Sequence, residues 1–184
     1  MRLFIALDIP GEIRNRLAEY MERVRSYAGD ARWARVEGLH VTLKFIGEVK
    51  DPRPEEIKKA LNAVKAPQFE VSFGNIGFFP GPKSPRVFWV GVQSGQELPC
   101  LAATIDKSTE KLGIAPEERA FSPHLTLGRA STRDPQSLKG LAPLLTAEEP
   151  PQFGTMTARE FWLYQSQPGP GGSKYTKLQR YPLG

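Results

Sequence analysis

A repeated tetrapeptide constrains this chain more than any other feature. His40-Val41-Thr42-Leu43 and His124-Leu125-Thr126-Leu127 stand 84 positions apart and contain both histidines of the 184-residue sequence. In a β-strand, residues i and i+2 share a face. Each tetrapeptide therefore projects one imidazole and one hydroxyl together, while its aliphatic residues turn to the other side. The flanking order repeats as well: strand, helix, histidine-bearing strand, helix, strand. Ile5 precedes His40 by 35 positions, and Trp89 precedes His124 by 35. Sequence identity between the halves is slight, so the expectation of an internal duplication rests on element order and the shared tetrapeptide.

The elements follow from apolar spacing. Leu3–Leu7 is a short apolar run closed by Asp8-Ile9-Pro10-Gly11, as a buried strand would be. Ile13, Leu17, Met21, Val24 and Tyr27 predict a helix, with Pro10 before it and Gly29 past it. Leu39, Val41, Leu43 and Phe45 point one way along the next strand, and His40, Thr42 and Lys44 the other. A helix follows Pro52–Pro54, with Ile57, Leu61 and Val64 as its stripe. Phe69, Val71 and Phe73 mark a strand that the turn-rich stretch Gly74–Pro85 is expected to end. In the second half the pattern predicts a strand at Val87–Val90 and a helix from Leu98 to Leu112. After the His124 strand, Leu138, Leu141 and Leu145 suggest a helix interrupted at Pro143. One aromatic-rich strand is expected over Met156–Ser166, then a loop at Gly169–Gly172 and a last strand around Tyr175–Leu178. Trp33, Trp89 and Trp162 read as core, and Cys100 as a small buried or half-buried residue. The chain is expected to be a single domain over 1–184, with halves of approximately 1–80 and 86–170 and a C-terminal strand completing the sheet.

Composition narrows the function classes. With 40% hydrophobic and 24% charged residues the chain is ordinary globular protein. One cysteine excludes an internal disulfide and a cysteine-based zinc cluster, and two histidines cannot fill a His-only zinc site. No metal or other cofactor is called for. No apolar run approaches the roughly 18 residues of a membrane helix, so no membrane partner is expected, and the chain reads as a cytoplasmic protein of a reducing compartment. The net charge of +5 favours an anionic partner without requiring one.

Two imidazoles and two hydroxyls around one cleft suit in-line displacement at a phosphodiester. One group must deprotonate the attacking oxygen and another must protonate the leaving oxygen, on opposite sides of phosphorus. Donors must also meet the non-bridging oxygens where charge builds up. Histidine serves both proton transfers near neutral pH, because its unperturbed pKa is about 6.5.

The sequence resembles the 2H phosphoesterase superfamily, and within it the RNA 2′,3′-cyclic phosphodiesterases formerly called 2′-5′ RNA ligases. The resemblance runs from Arg2-Leu3-Phe4-Ile5-Ala6 through His40–Glu48 and Arg86–Gly91 to Phe121–Arg129. It ends with Leu163–Ser166 and Gly172-Ser173-Lys174-Tyr175. It implies an α+β, bilobal fold of two pseudo-symmetric halves, each with an antiparallel sheet and helices, around a central cleft. It also implies metal-independent hydrolysis of RNA 2′,3′-cyclic phosphate ends, or of related nucleotides, to 2′-phosphates. The chain is expected to be a monomer. His40 would be the general acid at the 3′ oxygen, His124 the base that activates water, and Thr42 and Thr126 the donors to phosphate oxygens. ATP-independent 2′-5′ ligation by the reverse reaction and a non-catalytic RNA-binding module are the alternatives. The chain has no Lys-x-Asp-Gly or Walker lysine for an ATP-driven ligase, and no aromatic RNP1 pattern for an RRM.

Four further residues are candidates for substrate binding. The resemblance places Arg129 at phosphate; strict alternation would turn it toward the core with Leu125 and Leu127, and a bulge at Gly128 would re-aim it. Lys44 alternates onto the His40 face. Phe78, with its neighbour Phe79, lies in the Gly/Pro-rich stretch between the halves and could stack on a base. Tyr175 follows the glycine-rich loop. Arg32, Arg35, Lys83, Arg86, Arg119 and Lys174 could form a basic rim.

Overall fold

The computed structural model describes residues 1–184 and shows an α+β fold of two antiparallel sheets. The first sheet contains β1 (Arg2–Asp8), β3 (His40–Glu48), β8 (Glu160–Gln167) and β9 (Lys174–Pro182), in the order β3-β1-β8-β9. The second contains β2 (Arg32–Trp33), β4 (Phe69–Phe79), β5 (Val87–Gln93), β6 (His124–Arg129) and β7 (Gln152–Ala158), in the order β2-β6-β5-β4-β7. Setting β3-β1-β8-β9 against β6-β5-β4-β7 gives the pseudo-symmetry: each histidine strand is paired with the strand that opens its half. The sheets exchange strands across the sequence, since β4 joins β5 and β8 joins β1.

The helices cross in the same way. Helix α1 (Gly11–Arg25) buries Ile13, Leu17, Tyr20, Met21 and Val24 and lies on the second sheet, where Tyr20 meets Phe153 edge-on at 5.2 Å and Phe88 at 6.5 Å. Helix α3 (Glu97–Glu110) packs on β3 and on α2 (Arg53–Asn62), and α2 also touches β9. Helix α4 (Leu141–Thr146) buries Leu141, Ala142 and Leu145. One apolar cluster of 40 buried residues joins helices and sheets. Each large aliphatic or aromatic side chain in it contributes about 1.5–3 kcal/mol by burial. A second, smaller cluster of Phe4, Ala6 and Tyr164, with Trp162 against it, lies apart from that core, on the face of the first sheet that carries His40.

Two bulges decide where the motif-flanking side chains point. On β3, Ala6 is opposite Thr42 but Ile5 is opposite Lys44, so Leu43 is the extra residue. On β6, Trp89 is opposite Thr126 but Phe88 is opposite Gly128, so Leu127 is the extra residue. Both halves thus bulge one residue after the motif threonine, and a bulge reverses the alternation beyond it. Lys44 accordingly turns inward and is 4% exposed, while Phe45 turns outward and is 62% exposed. Simple alternation predicts the opposite for both. The same pairing makes Ala6, not Ile5, the counterpart of Trp89.

Other departures have local causes. Strand β4 continues through Gly74 to Phe79 rather than ending at Phe73, because a bulge at Asn75, whose φ is 61°, keeps it paired with β5. Gly77 permits this, since the Trp89 indole lies directly on it and leaves no room for a Cβ. The expected strand Met156–Ser166 is two strands, β7 and β8, which belong to different sheets. Trp33, Trp89 and Trp162 are half-buried rather than core, and Cys100 is exposed on α3. No helix is long and apolar enough to cross a membrane.

Candidate active site

His40 opens β3 and His124 opens β6, and these strands approach each other although they belong to different sheets. Each imidazole is fixed in the same way. His40 Nδ1 lies 2.6 Å from the Gly38 carbonyl oxygen, and His124 Nδ1 lies 2.7 Å from that of Ser122. A carbonyl only accepts, so Nδ1 carries the hydrogen in both rings. Both Nε2 atoms are left free of protein partners.

The motif threonines are equally available. The hydroxyls of Thr42 and Thr126 make no hydrogen bond within the protein, whereas those of Thr104, Thr109 and Thr146 bond back to their own helices. Both sites are half-buried, so these are accessible donors two residues from each histidine.

Burial pushes the His40 imidazole below its ordinary pKa. The Gly38 carbonyl and the Asp8 carboxylate oppose that shift, while Arg14 and His124 add to it. His124 is lowered too, first by burial, against the Ser122 carbonyl, with the Arg129 guanidinium adding to the shift. The surroundings differ in one respect: His40 has a carboxylate, Asp8, that favours its protonated form against the opposing Arg14, whereas the charge beside His124 is the Arg129 guanidinium alone, which disfavours it.

Aromatic rings line both histidines. Phe4 lies 4.7 Å from His40, and Tyr175 meets it edge-on at 5.1 Å. Phe79 meets His124 edge-on at 5.0 Å, with Trp89 at 6.4 Å. It is Phe79, not Phe78, that reaches the site. Phe78 falls on the core side of β4, is 6% exposed and stacks on Phe88 at 5.2 Å.

Lys44 is also absent from the site. It forms a buried ion pair with Asp106 of α3 and donates to the Ala115 carbonyl at 2.6 Å. Arg129, past the β6 bulge, is exposed, near enough to act on His124, and directly opposite Arg32 in the sheet. Four of the six residues expected in a basic rim fall into two groups, one of which Arg129 joins. Arg32 and Arg129 lie at one end of the second sheet, beside Arg86, which precedes β5. Arg35 and Lys174 line a recess beside Tyr175. None of these five forms an ion pair.

Sequence reading misses Phe45, because alternation assigns it to the core. The available signal is the repeat itself: Phe45 stands 84 positions before Arg129. The two therefore occupy equivalent places beyond equivalent bulges. No three His, Cys, Asp or Glu side chains converge on a common point where an ion could be held.

The chain is similar to known proteins over nearly its whole length. The model of the LigT like Phosphoesterase family matches the chain twice in tandem, at residues 7–89 and 90–175. The RNA 2′,3′-cyclic phosphodiesterase of Archaeoglobus fulgidus is 35% identical over 179 residues, covering 97% of this chain and 98% of its own. The protein of the same name from Escherichia coli is 28% identical over 184 residues, covering 99% and 96%. Among solved structures, E. coli LigT complexed with 3′-AMP superposes with a TM-score of 0.80 at 29% identity, over 99% of this chain and 97% of that one.

Proposed function

Because the chain belongs to the LigT-like phosphoesterases of the 2H family, we propose that it hydrolyses 2′,3′-cyclic phosphate ends of RNA to 2′-phosphates without a metal ion. The observation that carries this reading is the matched pair of free Nε2 atoms, each beside an unpartnered threonine hydroxyl.

Water attacks phosphorus opposite the 3′ oxygen. His124 Nε2 takes the water proton as the new P–O bond forms. The P–O3′ bond breaks, and His40, protonated at Nε2, delivers its proton to the 3′ oxygen. The 2′ ester survives, which leaves a 2′-phosphate and a 3′-hydroxyl. Asp8 supports this assignment by favouring protonated His40, and Arg129 by favouring neutral His124. Thr42 and Thr126 donate to the non-bridging oxygens, joined by the guanidinium of Arg129. The leaving oxygen belongs to the ribose, so the nucleoside lies on the His40 side, where Phe45 offers an exposed ring to its base.

Hydrolysis of an oligonucleotide with a 2′,3′-cyclic phosphate end, in the presence of EDTA, tests the proposal. ³¹P NMR should show a 2′-phosphomonoester as the product. A 3′-phosphate, or loss of turnover with EDTA, would contradict it.

A further inference from the structure

Resting on that reading, we infer that the enzyme has a built site for the nucleotide preceding the cyclic-phosphate terminus, with Tyr175 as its stacking wall and Lys174 as its phosphate contact. RNA of two or more nucleotides, not a cyclic mononucleotide, is then the preferred substrate.

Few large apolar side chains of this protein are substantially exposed, and two of them, Phe45 at 62% and Tyr175 at 38%, flank one buried ring. That ring is Phe4, whose centroid is 6.3 Å from Phe45 and 5.2 Å from Tyr175. Two open aromatic platforms separated by one floor ring match two successive bases, and each base has a π-face to stack. If the terminal base lies on Phe45, the chain has a second platform on the other side of Phe4.

The space around Tyr175 fits the same occupant. Two adjoining recesses, of about 670 and 540 Å³, share Glu37, Gly38, Lys174 and Tyr175. Each falls in the roughly 300–1,000 Å³ range of small-molecule sites. The first recess reaches His40 itself, and the second opens toward Arg35 and Ser173. Four cations (Arg14, Arg35, Lys174 and Lys177) face two carboxylates (Asp8 and Glu37). Asp8 is already paired with Arg14 at 2.7 Å and Lys177 at 2.5 Å. Arg35 donates to the Gly171 and Pro170 carbonyls at 3.3 Å, tying down the loop before Tyr175. The Lys174 ammonium has no protein partner and lines both recesses beside Tyr175, so it is free to meet an internucleotide phosphate.

Tyr175 also packs on Gly38, where an added Cβ would stand 3.0 Å from its ring. Since the Gly38 carbonyl holds His40, loss of Tyr175 alone could act through the histidine, and the test must separate the two effects. Steady-state kcat/KM is measured for a dinucleotide and a mononucleotide, both ending in 2′,3′-cyclic phosphate, in the wild type, Lys174→Gln and Tyr175→Ala. Binding of a dinucleotide 2′-phosphate with 2-aminopurine at the penultimate position is followed by fluorescence. The wild type should favour the dinucleotide by about tenfold or more, both variants should bring that ratio close to one, and the fluorophore should be quenched in the wild type, lose that quenching in Tyr175→Ala and need a higher protein concentration for it in Lys174→Gln. Equal wild-type kcat/KM for the two substrates, or a ratio that neither substitution changes, would overturn the inference. If neither substrate turns over, the proposed reaction fails and the fluorescence alone decides: quenching supports the site, and its absence overturns it.

Discussion

His40 and His124 are held by the same hydrogen bond, Nδ1–H to the carbonyl two residues upstream, at 2.6 and 2.7 Å. A duplicated strand start has thus produced two imidazoles in one tautomer, both offering Nε2. Symmetry supplies the pair, and what breaks it lies around the rings: Asp8 near His40 and Arg129 near His124. On the proposed mechanism these neighbouring charges make an acid of one imidazole and a base of the other.

The pH dependence follows from those shifts. Both imidazoles are pushed below the ordinary value of about 6.5, first by burial. The proposed reaction needs His40 protonated and His124 neutral, so the kcat/KM profile should be bell-shaped, with its alkaline limb below about pH 6.5. Asp8 raises His40, so Asp8→Asn should weaken the protonated form and move the alkaline limb to lower pH. A limb that moves up would reject the electrostatic assignment.

Thr42→Val and Thr126→Val remove a hydroxyl that has no structural partner, at nearly constant volume. Stability should change little, while kcat falls about a hundredfold in each, the typical loss of one transition-state donor. Urea unfolding and steady-state kinetics on the same preparations would check this. Unchanged kcat would assign the donor role elsewhere.

Lys44 works through structure. Its ammonium joins β3 to Asp106 of α3 and to the Ala115 carbonyl, and Asp106 also receives the Glu117 N–H at 3.2 Å. The histidine strand of one sheet is thereby tied to the segment that leads toward His124. Lys44→Met should cost about 3 kcal/mol, because it leaves a largely buried carboxylate uncompensated. Lys44→Met with Asp106→Leu should recover much of that loss in chemical denaturation. A single variant as stable as the wild type would show that the pair is not a strut.

The sequence made some of this plain. The element order, both histidine strands and their shared threonines follow from period-2 alternation and the repeat. The bulges at Leu43 and Leu127 do not, because a bulge depends on pairing with a neighbouring strand, and that is non-local. Everything just beyond them is consequently misread by alternation: Lys44 is expected at the site and is buried, and Phe45 is expected in the core and is exposed. The Asn75 bulge has the same effect on β4, sending Phe78 inward and Phe79 to His124. The strand exchange between sheets was also invisible, since a strand's apolar pattern carries its faces but not its partners.

The central claim is that His40 protonates the departing 3′ oxygen while His124 activates water. A substrate with sulfur in place of that oxygen tests it directly, because a thiolate leaves without a proton. On the oxygen substrate, His40→Ala and His124→Ala should each lower kcat by about a thousandfold, within the range of general acid–base catalysis. On the 3′-thio substrate, His40→Ala should regain most of the wild-type rate and His124→Ala should remain impaired. Recovery of His124→Ala instead, or equal impairment of both variants on sulfur, would contradict the assignment.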